Sequence, residues 1–255
     1  MWMIGATFWL AFLVGPMIGW ILWSIWWVES IVLLSIVVML TNTLYIYFKL
    51  PEPTRHQIEK KDTDTLKYTN FVLFLFAASL FVTIGFSSIQ SSSAQFYNDI
   101  FSFDERQIGF AMSVVWLSSI VYQGFLVKYV RKYLSDRQMM LFGIWVLMVF
   151  VFLFWINRDP LILYLIVVFL PIWMWSFNPS LSSLLSQSSP WHIGKIMWIN
   201  ASIWWIGWIL WPILVWILYA INPTLPYISS SILFAILFLT AIIYLWRETR
   251  KSKLL

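Results

Sequence analysis

The sequence predicts an all-α fold, a polytopic membrane bundle of eight transmembrane helices. Three observations predict it. Of 255 residues, 61% are hydrophobic and only 11% are charged, against roughly a quarter charged in soluble domains. Apolar runs long enough for a bilayer core, which needs about 20 residues per helix, recur eight times. The charged residues gather in the connections between those runs, and the basic ones favour alternate connections.

The runs are 3–23, 28–48, 70–90, 108–127, 138–156, 161–186, 196–219 and 226–246. Most are bounded by Pro, Asn, Asp or a charge cluster, which are ordinary helix-ending signals. The first begins almost at Met1 without a basic flank or a small-residue cleavage site, so it does not read as a signal peptide. The third is expected to continue to about Tyr97 as a longer, more polar helix. Asp104, Glu105 and Arg106 precede the fourth, and Ser135 and Asp136 precede the fifth. Pro160 opens the sixth, Lys195 precedes the seventh, and Arg247 follows the eighth.

Positive charge sets the expected orientation. The connections after the second, fourth and sixth runs, together with the C-terminal tail, hold 14 Lys and Arg residues; the opposite side holds only Arg106 and Arg158. By the positive-inside rule the basic side is cytoplasmic, which puts both ends of this chain there. The net charge of +5 is therefore a topology signal. Nucleic-acid binding would need basic residues gathered on a folded polar surface, and none is present. There is no cysteine, which removes disulfides, thiolate metal sites and cysteine nucleophiles. His56 and His192 fall in polar connections without a second ligand at metal spacing, so neither a metal nor a cofactor is expected. No nucleophile–base pair appears either, and the chain does not read as an enzyme.

The polar stretch 49–69 divides the chain into two helices, residues 1–48, and a six-helix bundle, residues 70–255. Transporters are often built from matching halves, and an internal repeat links the two parts. Aligning Pro16 with Pro212 places Met1 on Met197, Trp2 on Trp198, Trp9 on Trp205, Trp20 on Trp216 and Leu22 on Leu218. The first and seventh runs then occupy equivalent places in a duplicated fold, which leads to the expectation of further helices ahead of Met1.

With those residues in view, the chain resembles the major facilitator superfamily, and within it the twelve-helix drug:proton antiporters of the tetracycline-exporter group. "GATFWLAFLVGPMIGW" is similar to that group's antiporter motif through Gly15, Pro16 and Gly19, while Trp20 stands where the motif has glycine. Leu50, Pro51 and Glu52 resemble the Leu-Pro-Glu that closes the sixth helix. "GFLVKYVRKYLSDRQ" resembles a degenerate basic loop through Gly124, Lys128, Arg131, Lys132 and Arg137. Asn178 and Pro179 match the tenth helix. The resemblance implies helices five to twelve of an N-terminally truncated facilitator fold in a bacterial inner membrane. It implies export of a small organic molecule in exchange for protons. Uptake of a sugar, peptide or other metabolite, and a truncated fragment that does not transport, remain as alternatives.

No acid or base is well embedded in the last six runs; Asp99 comes nearest. An embedded carboxylate would be the default proton site. The polar residues inside the runs are Ser87, Gln90, Asn178, Asn200 and Ser202, among others. Unpaired amides in hydrocarbon cost roughly 4–8 kcal/mol, so these groups must face a partner helix or water. Gln90, Asn178 and Asn200, on three helices, are expected to face one water-filled substrate cavity. The stretch from Asn200 to Ala220 holds five tryptophans, including Trp211 and Trp216 around Pro212. Tryptophan in membrane proteins gathers at the interfaces, and these do not. The chain has 19 Trp and 9 Gly, and Trp211 precedes Pro212 where the repeat has Gly15 before Pro16. Many of these tryptophans are expected to be glycines in the natural protein, translated from UGA codons that mean glycine in some bacterial codes.

Overall fold

The computed structural model describes residues 29–49, 68–188 and 192–254, with side chains through Leu245. Among the described residues all regular structure is helical, and seven helices are long and apolar enough to cross a membrane. The run 3–23 and residues 50–67 of the linker, with Leu50, Pro51 and Glu52, lie outside the described residues. The chain divides into two compact units, Thr7–Thr65 and a larger one built on Leu66–Leu255.

In the smaller unit, α1 spans Glu29–Lys49. Its terminal charges suit the helix dipole, with an acid at the N-terminus and a base at the C-terminus. Ser35, Thr41 and Thr43 donate to carbonyls four residues back at 2.8, 2.7 and 2.8 Å. Hydroxyls satisfied in this way can face lipid without a partner helix.

In the larger unit, α2 runs Asn70–Phe101, past the expected Tyr97. Thr69 caps it, accepting from the Val72 amide at 3.3 Å. It ends where Ser102 turns left-handed at φ 55°, with its amide on Asn98 O and the Phe103 amide on Tyr97 O. α3, Glu105–Val121, starts in a capping box of Asp104 and Gln107. A π-helical turn at Tyr122–Leu126 then leads into α4, Val127–Tyr133. α5, Asp136–Ile156, opens on a second capping box, from Ser135 and Gln138.

The expected single run 161–186 is two helices, α6 at Pro160–Phe169 and α7 at Ile172–Ser188. The break falls at Pro171, which has no N–H to bond to the turn before it. The π-turn and this break face each other across an apolar pocket of about 260 Å³ lined by Val114, Ser118, Tyr122, Phe169 and Ile172. α8 spans Ile193–Ile221 with Pro212 inside it, and α9 spans Leu225–Leu254.

The most extensive packing joins α2 to α8 and α9, and α5 to α7 and α9, while α3 leans on α6. Lipid is as apolar as this core, so close fit and hydrogen bonds hold the helices together rather than expulsion from water. Fit is tight at three glycines. A Cβ on Gly85 of α2 would run into the Phe234 ring of α9. A Cβ on Gly143 of α5 would lie 2.9 Å from both Cβ and N of Phe177 in α7. One on Gly207 of α8 would lie 2.8 Å from Thr83 Cγ2 in α2. Toward the far end of α2, Phe96, Phe154 and Tyr227 form a buried aromatic knot with centroids 4.5–5.1 Å apart.

Candidate functional site

α2 carries the densest polar stretch of the chain, and most of its hydroxyls are satisfied locally. Thr83 donates to Ser79 O at 2.8 Å, Ser87 to Ile84 O at 3.1 Å and Ser92 to Ser88 O at 2.7 Å. Such bonds let a polar residue sit in a membrane helix without a partner helix. Two side chains also reach out. Ser88 Oγ accepts from Trp211 Nε1 at 2.6 Å and from Ser230 Oγ at 2.9 Å. Ser92 Oγ, whose proton goes to Ser88 O, accepts from Tyr227 OH at 2.9 Å. Nearer the end of the helix, Asp99 accepts from Tyr219 OH at 2.7 Å and from Gln95 at 2.8 Å. These bonds tie α2 to α8 and α9.

At the opposite membrane face, Asp136 gathers a second network. Its Oδ2 accepts from Ser183 at 2.6 Å and Gln187 at 3.3 Å, and its Oδ1 lies 3.7 Å from Arg131. The carboxylate thus joins the basic loop to the end of α7. In the same loop Lys128 and Lys132 lie over the rings of Tyr129 and Tyr133, and Arg137 over Phe71. Sequence reasoning treated Asp136 as a flank of the fifth run; the local signal was the capping box that places Asp136 at the helix start.

Between these networks α2, α7 and α8 meet in an aromatic layer. Phe86 lies 4.6 Å from Trp173 and 6.3 Å from Trp208, which is 6.2 Å from Trp204. Ser79 precedes Phe86 by two helical turns, and Ser180 follows Trp173 by two turns on an antiparallel helix. Two turns are about 10 Å, so the two serines share a depth on the Asp136 side of the layer. Both are fully buried, and neither hydroxyl has a hydrogen-bond partner among the described residues. Asn200 stands two turns before Gly207, the residue that touches α2, and its Oδ1 is also buried without a partner. An unsatisfied buried polar atom costs about 1–3 kcal/mol. Three such atoms lie on α2, α7 and α8.

Of the expected cavity residues, Gln90 is exposed, and Asn178 and Asn200 are half-buried. No protein hydrogen bond joins these three amides to one another or to other described residues. Ser87 is buried and bonded to its own helix, as is half-buried Ser202, which donates to Trp198 O at 3.0 Å. Sequence reasoning missed Ser79, and counted Ser180 among the polar residues of its run without assigning it to the cavity; serine neighbours hid both, because hydroxyls that bond backward look identical in sequence to those that do not. Trp211 and Pro212 are half-buried, and Trp216 is 48% exposed with its ring 5.6 Å from that of Tyr219. Gly15, Pro16, Gly19 and Trp20 lie outside the described residues.

Compared with known proteins, the chain is similar to the Major Facilitator Superfamily over residues 2–212 and, in a second placement, over residues 75–255. No curated protein matches it.

Proposed function

The chain belongs to the major facilitator superfamily, whose members are membrane transporters, and from that premise we propose that it exports a small organic molecule in exchange for protons. The observation that carries a binding role is the set of buried, unpartnered oxygens of Ser79, Ser180 and Asn200 on α2, α7 and α8. Gln90 and Asn178, on two of the same helices, offer further amides. Binding in facilitator-type folds takes place near the midplane between helical bundles, and access alternates around a fixed site. Hydrogen bonds to a bound molecule would satisfy what the protein leaves unsatisfied. Gly15, Pro16 and Gly19 then act as the bend and close contact of the antiporter motif, and Lys128, Arg131, Lys132 and Arg137 as the cytoplasmic basic loop.

The test uses everted vesicles from cells expressing the gene at its native locus. An imposed proton gradient is expected to drive ethidium into them, and a protonophore is expected to stop it. Gradient-driven uptake of sugars or peptides by right-side-out vesicles, with no ethidium flux, would overturn the export reading.

The orientation that goes with this proposal places Ser102 outside and Ser135 in the cytoplasm. Both are exposed at opposite ends of the α3–α4 span. In a chain without native cysteine, a cysteine replacing Ser102 is expected to react with an impermeant maleimide in intact cells. One replacing Ser135 is expected to react only after lysis. The reverse pattern would invert the topology.

We also propose that tryptophans of α8 are glycines in the natural protein. Trp198 and Trp205 are 71% and 68% exposed, and Trp208 holds its Nε1 buried and unbonded. Glycine at Trp204, Trp208 and Trp211 would give the small-residue spacing that brings membrane helices close. Peptide mass spectrometry of the native protein is expected to read glycine at positions 205, 208 and 211. Tryptophan at all three ends the proposal.

A further inference from the structure

The outer surface of the α5–α9 pair holds a groove of about 400 Å³. Met148, Phe152 and Leu153 of α5 line one wall, and Ile228, Ile232 and Ala235 of α9 the other. Phe152, Leu153 and Ile232 are 47%, 41% and 57% exposed. The lining is almost wholly apolar; its polar residue, Ser231, is buried and gives its proton to Tyr227 O at 2.8 Å. From Met148 to Trp155 the groove follows about two helical turns, roughly 10 Å, or some two-thirds of one leaflet of a ~30 Å core.

Its mouth has a different chemistry. Trp155 lines the groove where α5 ends, the depth at which an indole belongs. One turn on, exposed Arg158 is held against this end of the helix by bonds of 2.7 Å from Nη1 to Trp155 O and to Asn157 O. Those two carbonyls engage one nitrogen and leave Nε and Nη2 available. The neighbouring Asp159 does not neutralise the guanidinium by pairing, since its carboxylate caps α6 through the Leu161 and Ile162 amides at 2.7 and 3.4 Å. Apolar below and cationic at the rim, this end of the pair matches one occupant.

We propose that the α5–α9 groove is a phospholipid site, with one acyl chain between the helices and the headgroup phosphate on Arg158. The bilayer supplies the chain at high local concentration, and a fixed guanidinium suits a phosphate oxygen pair. The site depends on the chain crossing a bilayer and not on what the protein transports, so it stands or falls separately from the export reading.

The test is native mass spectrometry of the full chain released from nanodiscs containing phosphatidylglycerol and phosphatidylcholine. One retained phospholipid per chain is expected, enriched in phosphatidylglycerol. Arg158→Gln, at an exposed position, should keep the fold and weaken retention about fivefold, the worth of one cation at a membrane surface. Ala235→Phe, which fills the groove, should abolish retention; Ile232→Ala, which widens it, provides a second readout with no added bulk and should shift the chain lengths retained. Equal retention by wild type, Arg158→Gln and Ala235→Phe would show a non-specific lipid annulus and overturn the site. Retention of free fatty acid alone, or a second copy of the chain displacing the lipid, would overturn it too.

Discussion

Valine at Gly143 is expected to destabilise the fold itself, not merely to lower the activity. The Cβ it introduces would meet Phe177 Cβ and N at 2.9 Å and Trp173 O at 3.1 Å. Two of those three atoms are backbone, which no rotamer change can move. Phe177 and Trp173 are themselves buried, so α7 has nowhere to retreat except away from α5. Overpacking costs about 1–3 kcal/mol for even modest additions, and a backbone clash belongs at the top of that range. For a domain of this size about 3 kcal/mol corresponds to a fall of roughly 6–12 °C in Tm. Thermal unfolding in detergent measures it. Gly109→Val is the control, because nothing lies within 4 Å of a Cβ there. Equal losses at the two positions would show that helix propensity, and not the α5–α7 contact, is responsible.

The second large effect concerns transport. Replacing Gln90, Asn178 and Asn200 together by alanine is expected to lower kcat/KM at least about tenfold while leaving Tm unchanged or slightly higher. The physical basis is that the three amides make no hydrogen bond among the described residues, so their removal breaks none there. If they bond the substrate, each loss is worth about 0.5–1.5 kcal/mol, and about 1.4 kcal/mol already gives a factor of ten. Full transport by the triple variant would show that the amides only face lipid or water.

The helices were legible in the sequence because hydropathy over 20 residues is a strong signal, and the membrane enforces it. Their irregularities were less so. The run 161–186 contains Pro171, Pro179 and, in the next helix, Pro212 has the same local appearance, yet only Pro171 breaks its helix. Whether a proline bends or breaks a helix depends on the neighbours that satisfy the freed carbonyl, and those are tertiary. The π-turn at Tyr122–Leu126 had no signal beyond Gly124. α2 runs four residues past its expected end, to Phe101; Gln95 donates to Asp99 across that last stretch, and the helix stops only where Ser102 turns left-handed. The site was legible as a list of polar positions and not as a set of partners. Ser88 with Ser230 and Asp99 with Tyr219 are separated by 142 and 120 residues, and no local pattern pairs residues at such a distance.

The bonds of α2 are unevenly distributed along its length. Among the described residues, every hydrogen bond from α2 to α8 or α9 starts at Ser88, Ser92 or Asp99. The stretch from Asn70 to Ser87 meets them through apolar surfaces, ring stacking such as Phe74 on Tyr244, and the Thr83–Gly207 contact. Hydrogen bonds hold a seam in register because they are directional, whereas close-packed apolar surfaces hold it by shape. The seam is therefore keyed in two ways: by directional bonds toward the Asp99 end, and by interlocking contacts such as Thr83 against Gly207 toward the Asn70 end.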